Sequence, residues 1–298
     1  MAQKKNPHLR RIILWVTVIL YTAALPYVIF VFRAITRHFS ASTAGNVPLI
    51  IIILMAVPYA ITVVRRKGFG RCIIILAVSA VIIFSIMAFE NNANKYIHIP
   101  EYVLMAWLLY QAMIVDYKGR GILLLVFICA SMLGVVDELL QGIHLQRTYG
   151  WKDMIIDAAS GFIGILTLMG VTDRLKGDWS WIGLLKHYKA FVAAILFGGP
   201  TTLLMCIYLF TVQARGSFDD VYPGWLLVCN ALFPAATAAA IIFCWHRRPR
   251  SGKFRPEINP DTVGDRTTAL LWVTCPLVIL ISMNLIVIGM AAAGWKFR

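Results

Sequence analysis

Residues 72–89, CIIILAVSAVIIFSIMAF, run the length of a membrane span without one charged side chain. A helix rises about 1.5 Å per residue and needs about 20 apolar residues to cross a hydrocarbon layer of about 30 Å. The run is apolar on every side, so it has no polar face to turn toward water. Working outward along the chain, the same template fits nine times, at roughly 12–32, 47–64, 72–89, 98–115, 121–140, 154–171, 188–212, 224–245 and 268–292. The expected fold is an all-α polytopic transmembrane bundle of about nine helices. Prolines within these spans, among them Pro26, Pro58, Pro200, Pro234 and Pro276, are compatible with it, because neighbouring helices satisfy the freed backbone groups.

The remaining composition agrees. Of 298 residues 60% are hydrophobic and 14% charged, where a soluble domain carries about 25% charged residues. The formal charge of +14 has no compact basic domain behind it, so it argues for loops held near anionic lipid and against nucleic acid. All six cysteines lie inside apolar runs with no metal-ligand spacing, as small buried hydrophobes do. The apolar run after MAQKKNPHLRR extends to about Phe32, beyond the ~7–15 residues of a cleavable signal, and is read as the first span.

Twenty lysines and arginines fall in one set of loops and eight in the other. The richer set, including Lys4, Arg10, Arg65, Arg66 and Arg247, is expected to be cytoplasmic, with the N-terminus inside and the C-terminus outside. Two polar segments then share the extracytoplasmic side: ENNANKYIHIPEY at 90–102 and the stretch from Val135 to Asp157, VVDELLQGIHLQRTYGWKDMIID. The loop 246–267 is long, basic and rich in Pro and Gly, and reads as a solvated linker. Asp219 and Asp220 in the 213–225 loop stand on the outer side, as a cover for the site or as a plain turn.

Within these segments Lys95, His98 and Tyr102 follow at spacings of three and four, along one helical face, with Glu101 at a neighbouring angle. Glu138 and Gln141 share a face of the fifth span, and Asp153 and Asp157 a face of the sixth. Asp153 fits a helix's first turn. Asp157 lies a full turn deeper, where an acid costs ~2.5–3.5 kcal/mol at mid-membrane and calls for a partner, for which Arg147 and Lys152 are the nearby cations. His144 lies in the loop and reads as solvated.

NKYIHIPEY, VDELLQGIHLQR and DMIIDAASGFIG together resemble the VanZ-like family of membrane proteins over about residues 70–172. Lys95, His98 and Tyr102 match a D-K-x-x-H-x-x-x-Y/F element, Glu138 and Gln141 match E-x-x-Q, and Arg147 follows. Asp153, Asp157 and Gly164 match D-x-x-x-N/D-x-x-G-x-x-x-G. Asn94 stands where the family has Asp, and Ser160 where it has the first Gly. The resemblance divides the chain into two N-terminal spans at 1–70, a four-helix core at 71–172 and three further spans at 173–298. It implies a multi-pass protein of the bacterial plasma membrane whose outer face meets envelope precursors or lipids. The founding member is associated with low-level teicoplanin resistance.

From the residue types, Glu138, Asp157, Asp153 and His98 are the candidate catalytic groups: paired carboxylates as acid and base, and an imidazole that moves a proton near neutral pH. Lys95, Tyr102, Gln141 and Arg147 are the candidate substrate-binding groups, with Arg147 suited to a phosphate. The expected partners are membrane lipids and a lipid-linked sugar or phosphate, which the pocket binds and hydrolyses or transfers. The alternatives are a non-catalytic binding or transport module for envelope precursors or glycopeptide resistance, and a scaffold in which the polar residues only lock helix packing. No cofactor or metal is assigned. Residues His98, Glu138 and Asp157 offer a cation site, but no local ligand spacing demands it.

Overall fold

The computed structural model describes residues 7–117, 121–144, 147–172, 179–215, 218, 221–246 and 260–298. Most of the basic linker and both Asp219 and Asp220 lie outside them. Helices are α1 (Pro7–Ala24), α2 (Val28–His38), α3 (Ala41–Lys67), α4 (Phe69–Phe89), α5 (His98–Met113), α6 (Ile122–Ile143), α7 (Trp151–Val171), α8 (Lys189–Arg215), α9 (Gly224–His246) and α10 (Pro260–Ala292). Short 3-10 stretches join α1 to α2 (Leu25–Tyr27), lead into α5 (Ala93–Ile97) and precede α8 (Ser180–Tyr188). There is no strand among the described residues.

The chain is thus an all-α bundle of the expected polytopic kind. Among the described residues eight helices are long and apolar enough to cross a membrane, α1 and α2 counting as one. Large apolar side chains such as Phe84, Leu54 and Leu196 are about two-thirds exposed, an outward face that suits lipid rather than water. The segment at 98–115 forms the sixteen-residue α5, about 24 Å long and the shortest of the nine rods. Proline acts in two ways. Pro58, Pro200, Pro234 and Pro276 sit inside continuous helices. Pro26 instead lies in the 3-10 turn between α1 and α2, because it cannot donate the bond that would continue the ladder.

Two compact units divide the chain, and the boundary falls inside α6 between Asp137 and Glu138. The first unit holds α1–α5, the first part of α6, and α7. At its centre is α5, with eleven of sixteen residues buried, packed most extensively on α7 and then on α1. Small residues allow that approach. A Cβ on Gly164 of α7 would stand 2.6 Å from Ala106 Cβ and 3.2 Å from the Val103 backbone. The second unit holds Glu138–Tyr149 and the mutually packed α8, α9 and α10. Asn284 donates to Thr202 there at 2.7 Å, Asn230 to the Tyr222 hydroxyl at 2.7 Å, and Trp181 stacks on Trp272.

The α5–α7 approach gives the first test. Gly164→Leu is expected to destabilise the protein by about 1–3 kcal/mol, since backbone stands against the new side chain. Gly199→Ala, with nothing within 4 Å of its added Cβ, is expected to lie within about 0.5 kcal/mol of wild type. Thermal unfolding in detergent compares the two.

Candidate functional site

The face carrying Lys95, His98 and Tyr102 meets three carboxylates in the first unit, one for each residue. The 3-10 stretch before α5 presents Lys95, whose Nζ donates to Asp153 Oδ1 at 2.7 Å and stands 3.8 Å from Glu90. His98 opens α5 and places Nδ1 2.9 Å from Asp157 Oδ1 and 3.8 Å from Glu101 Oε2. One turn on, the Tyr102 hydroxyl donates to Asp137 Oδ2 at 3.2 Å, and its ring stacks against the His98 ring. Pro100 falls in the first turn of α5, where its missing N–H is not needed.

The segment 90–97 holds Lys95 in place by its own hydrogen bonds. Glu90 accepts from the Asn92 amide at 3.0 Å, Asn92 accepts from the Asn94 amide at 3.1 Å, and the Tyr96 hydroxyl donates to the Glu90 carbonyl at 3.0 Å. On α1, Tyr21 donates to the Glu101 carbonyl at 3.0 Å. On α6, Gly134 makes room for Asp157, whose Cβ would lie 2.9 Å from an added Cβ at that glycine.

The depth of these groups matters. His98 is 3% exposed, and Asp137 and Asp157 are fully buried. Burying one unpaired charge costs several kcal/mol, so each acid must be compensated where it lies. The 2.9 Å approach of His98 to Asp157 falls outside hydrogen-bond angles. Neither His98 Nδ1 nor either Asp157 oxygen makes a hydrogen bond, and the same holds for Ser160 Oγ, one turn along α7. One ligand atom each from His98, Asp137 and Asp157 lies within 4.8 Å of the others, a grouping that can hold a metal ion.

Against expectation, the partner of Asp157 is His98. Lys152 instead lies over the Phe89 ring at 5.4 Å, and Arg147 donates through Nη2 to Gln141 Oε1. The cluster with Asp157 takes Asp137 rather than Glu138. A step of one residue turns a helix by about 100°, so neighbours on α6 serve different faces. Glu138 is fully buried and falls with Gln141 and Arg147 in the second unit.

In that unit the backbone of Tyr149 bonds to Arg298, Arg298 bonds to Gly142, and the Tyr149 ring packs on Phe210 and Phe297. Burial pushes the Tyr149 hydroxyl pKa well up, which keeps it a donor to the Cys206 carbonyl. His144 is half-buried.

Asp137 and Gly134 are the site residues that the sequence reading passed over. Their three-residue spacing on one face of α6 is the signal that finds them. Comparison with protein-family models, with curated proteins and with solved structures finds no match to this chain. Fold and site define a multi-pass helical membrane protein with a buried histidine–carboxylate cluster.

The Lys95–Asp153 pair is expected to couple by about 1 kcal/mol in a double-mutant cycle with Lys95→Ala and Asp153→Ala, since Asp153 is buried and Lys95 mostly so. Additive losses in unfolding free energy contradict it.

Proposed function

We propose that the chain is a VanZ-like membrane protein whose buried polar cluster binds the head of a lipid-linked, anionic envelope precursor at the outer leaflet and hydrolyses or transfers it. The observation that carries the reading is the ladder of His98–Asp157, Tyr102–Asp137 and Lys95–Asp153. Three polar groups at helical spacing meet three acids within the first unit. Intramembrane ionisable groups mark functional sites by default.

A second feature supports a lipid substrate. A cavity of about 700 Å³ opens among α3, α4, α5 and α7, lined by Met55, Tyr59, Ile83, Ile99, Val103 and Ile163. Ile99 stands next to His98 in the chain, so a ligand with an apolar tail in the cavity brings its head toward the start of α5. In the reaction, a water or acceptor hydroxyl bonds to phosphorus or to the anomeric carbon. The bond to the lipid-side oxygen breaks, and the nucleophile's proton passes to that departing oxygen by way of the carboxylates. Lys95 is the cation of this unit suited to the phosphate.

Mass spectrometry of lipid bound to the gently purified protein tests the proposal in wild type, Asp157→Asn and Lys95→Ala. A polyprenyl-phosphate or glycolipid species enriched in Asp157→Asn above wild type, and lost from Lys95→Ala, is the expected result. Equal enrichment in wild type and Asp157→Asn, with no product, reduces the function to binding. Bulk phospholipid in every variant leaves only a scaffold.

A further inference from the structure

We propose that His98, Asp137 and Asp157 hold a divalent transition-metal cation, zinc or manganese, which receives the anionic head of the substrate. The inference deepens the function proposed above and rests on it for the identity of what the cation meets. The cation site itself stands on geometry.

Its first support is the direction of the ligand atoms. Ligands of one cation at bond lengths near 2.1 Å stand about 3.0–3.4 Å apart along the edges of its coordination polyhedron, and they point at the metal rather than at each other. His98 Nδ1 and Asp157 Oδ1 lie 2.9 Å apart without the N–H alignment of a good hydrogen bond. An imidazolium–carboxylate pair at that distance gains by aligning N–H with oxygen. Two ligands of a shared cation have no reason to.

The second support is charge. His98 contributes at most one positive charge, against Asp137, Asp157 and the nearby Glu101. A buried group with that balance repels an anionic head, and a divalent cation reverses the sign of the site. Lys95 does not supply the balance, because its contacts are Asp153 and Glu90.

Donor chemistry selects the cation. One imidazole nitrogen with carboxylate oxygens suits zinc or manganese better than calcium or magnesium, which favour all-oxygen sets. Three protein ligands also leave coordination positions open for water or a phosphate oxygen, as in catalytic rather than structural sites. Ser160 Oγ, buried and without a hydrogen bond one turn from Asp157, is placed to orient a ligand of the cation.

Elemental analysis of the full-length protein in mild detergent, as purified and after exposure to Zn²⁺ or Mn²⁺ followed by dialysis, tests the inference. The expected result is about one metal ion per wild-type or Gly199→Ala chain, falling at least about tenfold in His98→Gln and Asp157→Asn. Metal retained in full by both variants, or no stoichiometric metal in wild type under either loading, overturns it. Should the variants fail to fold, pulsed EPR of the Mn²⁺-loaded wild type decides. Coupling to one imidazole nitrogen supports the site, and its absence refutes it. Lipid analysis of the same preparations separates the two proposals. Metal without an enriched anionic lipid sinks the substrate reading and leaves the cation site, while enriched lipid without metal does the reverse.

Discussion

A carboxylate that leaves water for an apolar bundle must be met by a partner within a few ångströms. That constraint sets the arrangement of α5, α6 and α7 in the first unit. Asp157 has no exposure, and its nearest cationic group is the imidazole at the start of α5. For the two to lie 2.9 Å apart, α5 and α7 must pack closely, and bulky residues at the contact would prevent it. Gly164 permits the approach of α5 to α7, and Gly134 permits that of α6 to Asp157. Polar chemistry and small residues are two parts of one requirement: the charge needs proximity, and glycine supplies it. The dry interior then strengthens each pairing, because little water remains to compete for it.

Much of this was legible in the sequence, for physical reasons. Hydrophobic runs the length of a bilayer leave few alternatives to a helix, because an unsatisfied backbone in lipid is costly. Eight of the nine expected spans are met by helices long and apolar enough to cross a membrane among the described residues, α1 with α2 forming the first, while the span expected at 98–115 is the shorter α5. Local spacing also carried well: Lys95, His98 and Tyr102 do share a face, and all three meet acids. Pairing across helices did not carry. The spacing within α7 says that Asp157 needs a partner, but the rotation of α5 about its axis decides that His98 is that partner. Lys152, the nearer cation in sequence, lies over Phe89 instead. The choice between Asp137 and Glu138 was hidden for the same reason. Adjacent acids differ only in the direction they face, and a single sequence has no signal for that beyond the small residue one turn away.

Among its described residues the second unit buries one acid, Glu138, and otherwise holds α8, α9 and α10 together with neutral groups. Asn284 with Thr202, and Asn230 with Tyr222, close amide hydrogen bonds between side chains that are buried or nearly so. Neutral pairs of this kind fix how helices sit together and cost little to bury once bonded. Charged groups exact far more when left incomplete. The contrast between the units is therefore informative: α8–α10 use polarity sparingly, to hold packing, whereas the first unit concentrates acids around one imidazole.

Packing alone does not call for that concentration. A scaffold needs each buried polar group satisfied, and the cheapest satisfied groups are uncharged. In the first unit, His98 Nδ1 and both Asp157 oxygens are deeply buried and make no hydrogen bond, and Ser160 makes none either. Stability selects against such a set, since an apolar core of similar volume costs less. A protein that keeps it gains something from the charge itself. The proposed function places that gain at the short α5. At about 24 Å, this helix ends within a hydrocarbon layer of about 30 Å, so the turn that opens with His98 and the 3-10 stretch carrying Lys95 replace apolar span with polar surface. His98 thus precedes Ile99, which lines the apolar cavity among α3, α4, α5 and α7, and on that juxtaposition of charge and apolar space the proposed lipid ligand rests.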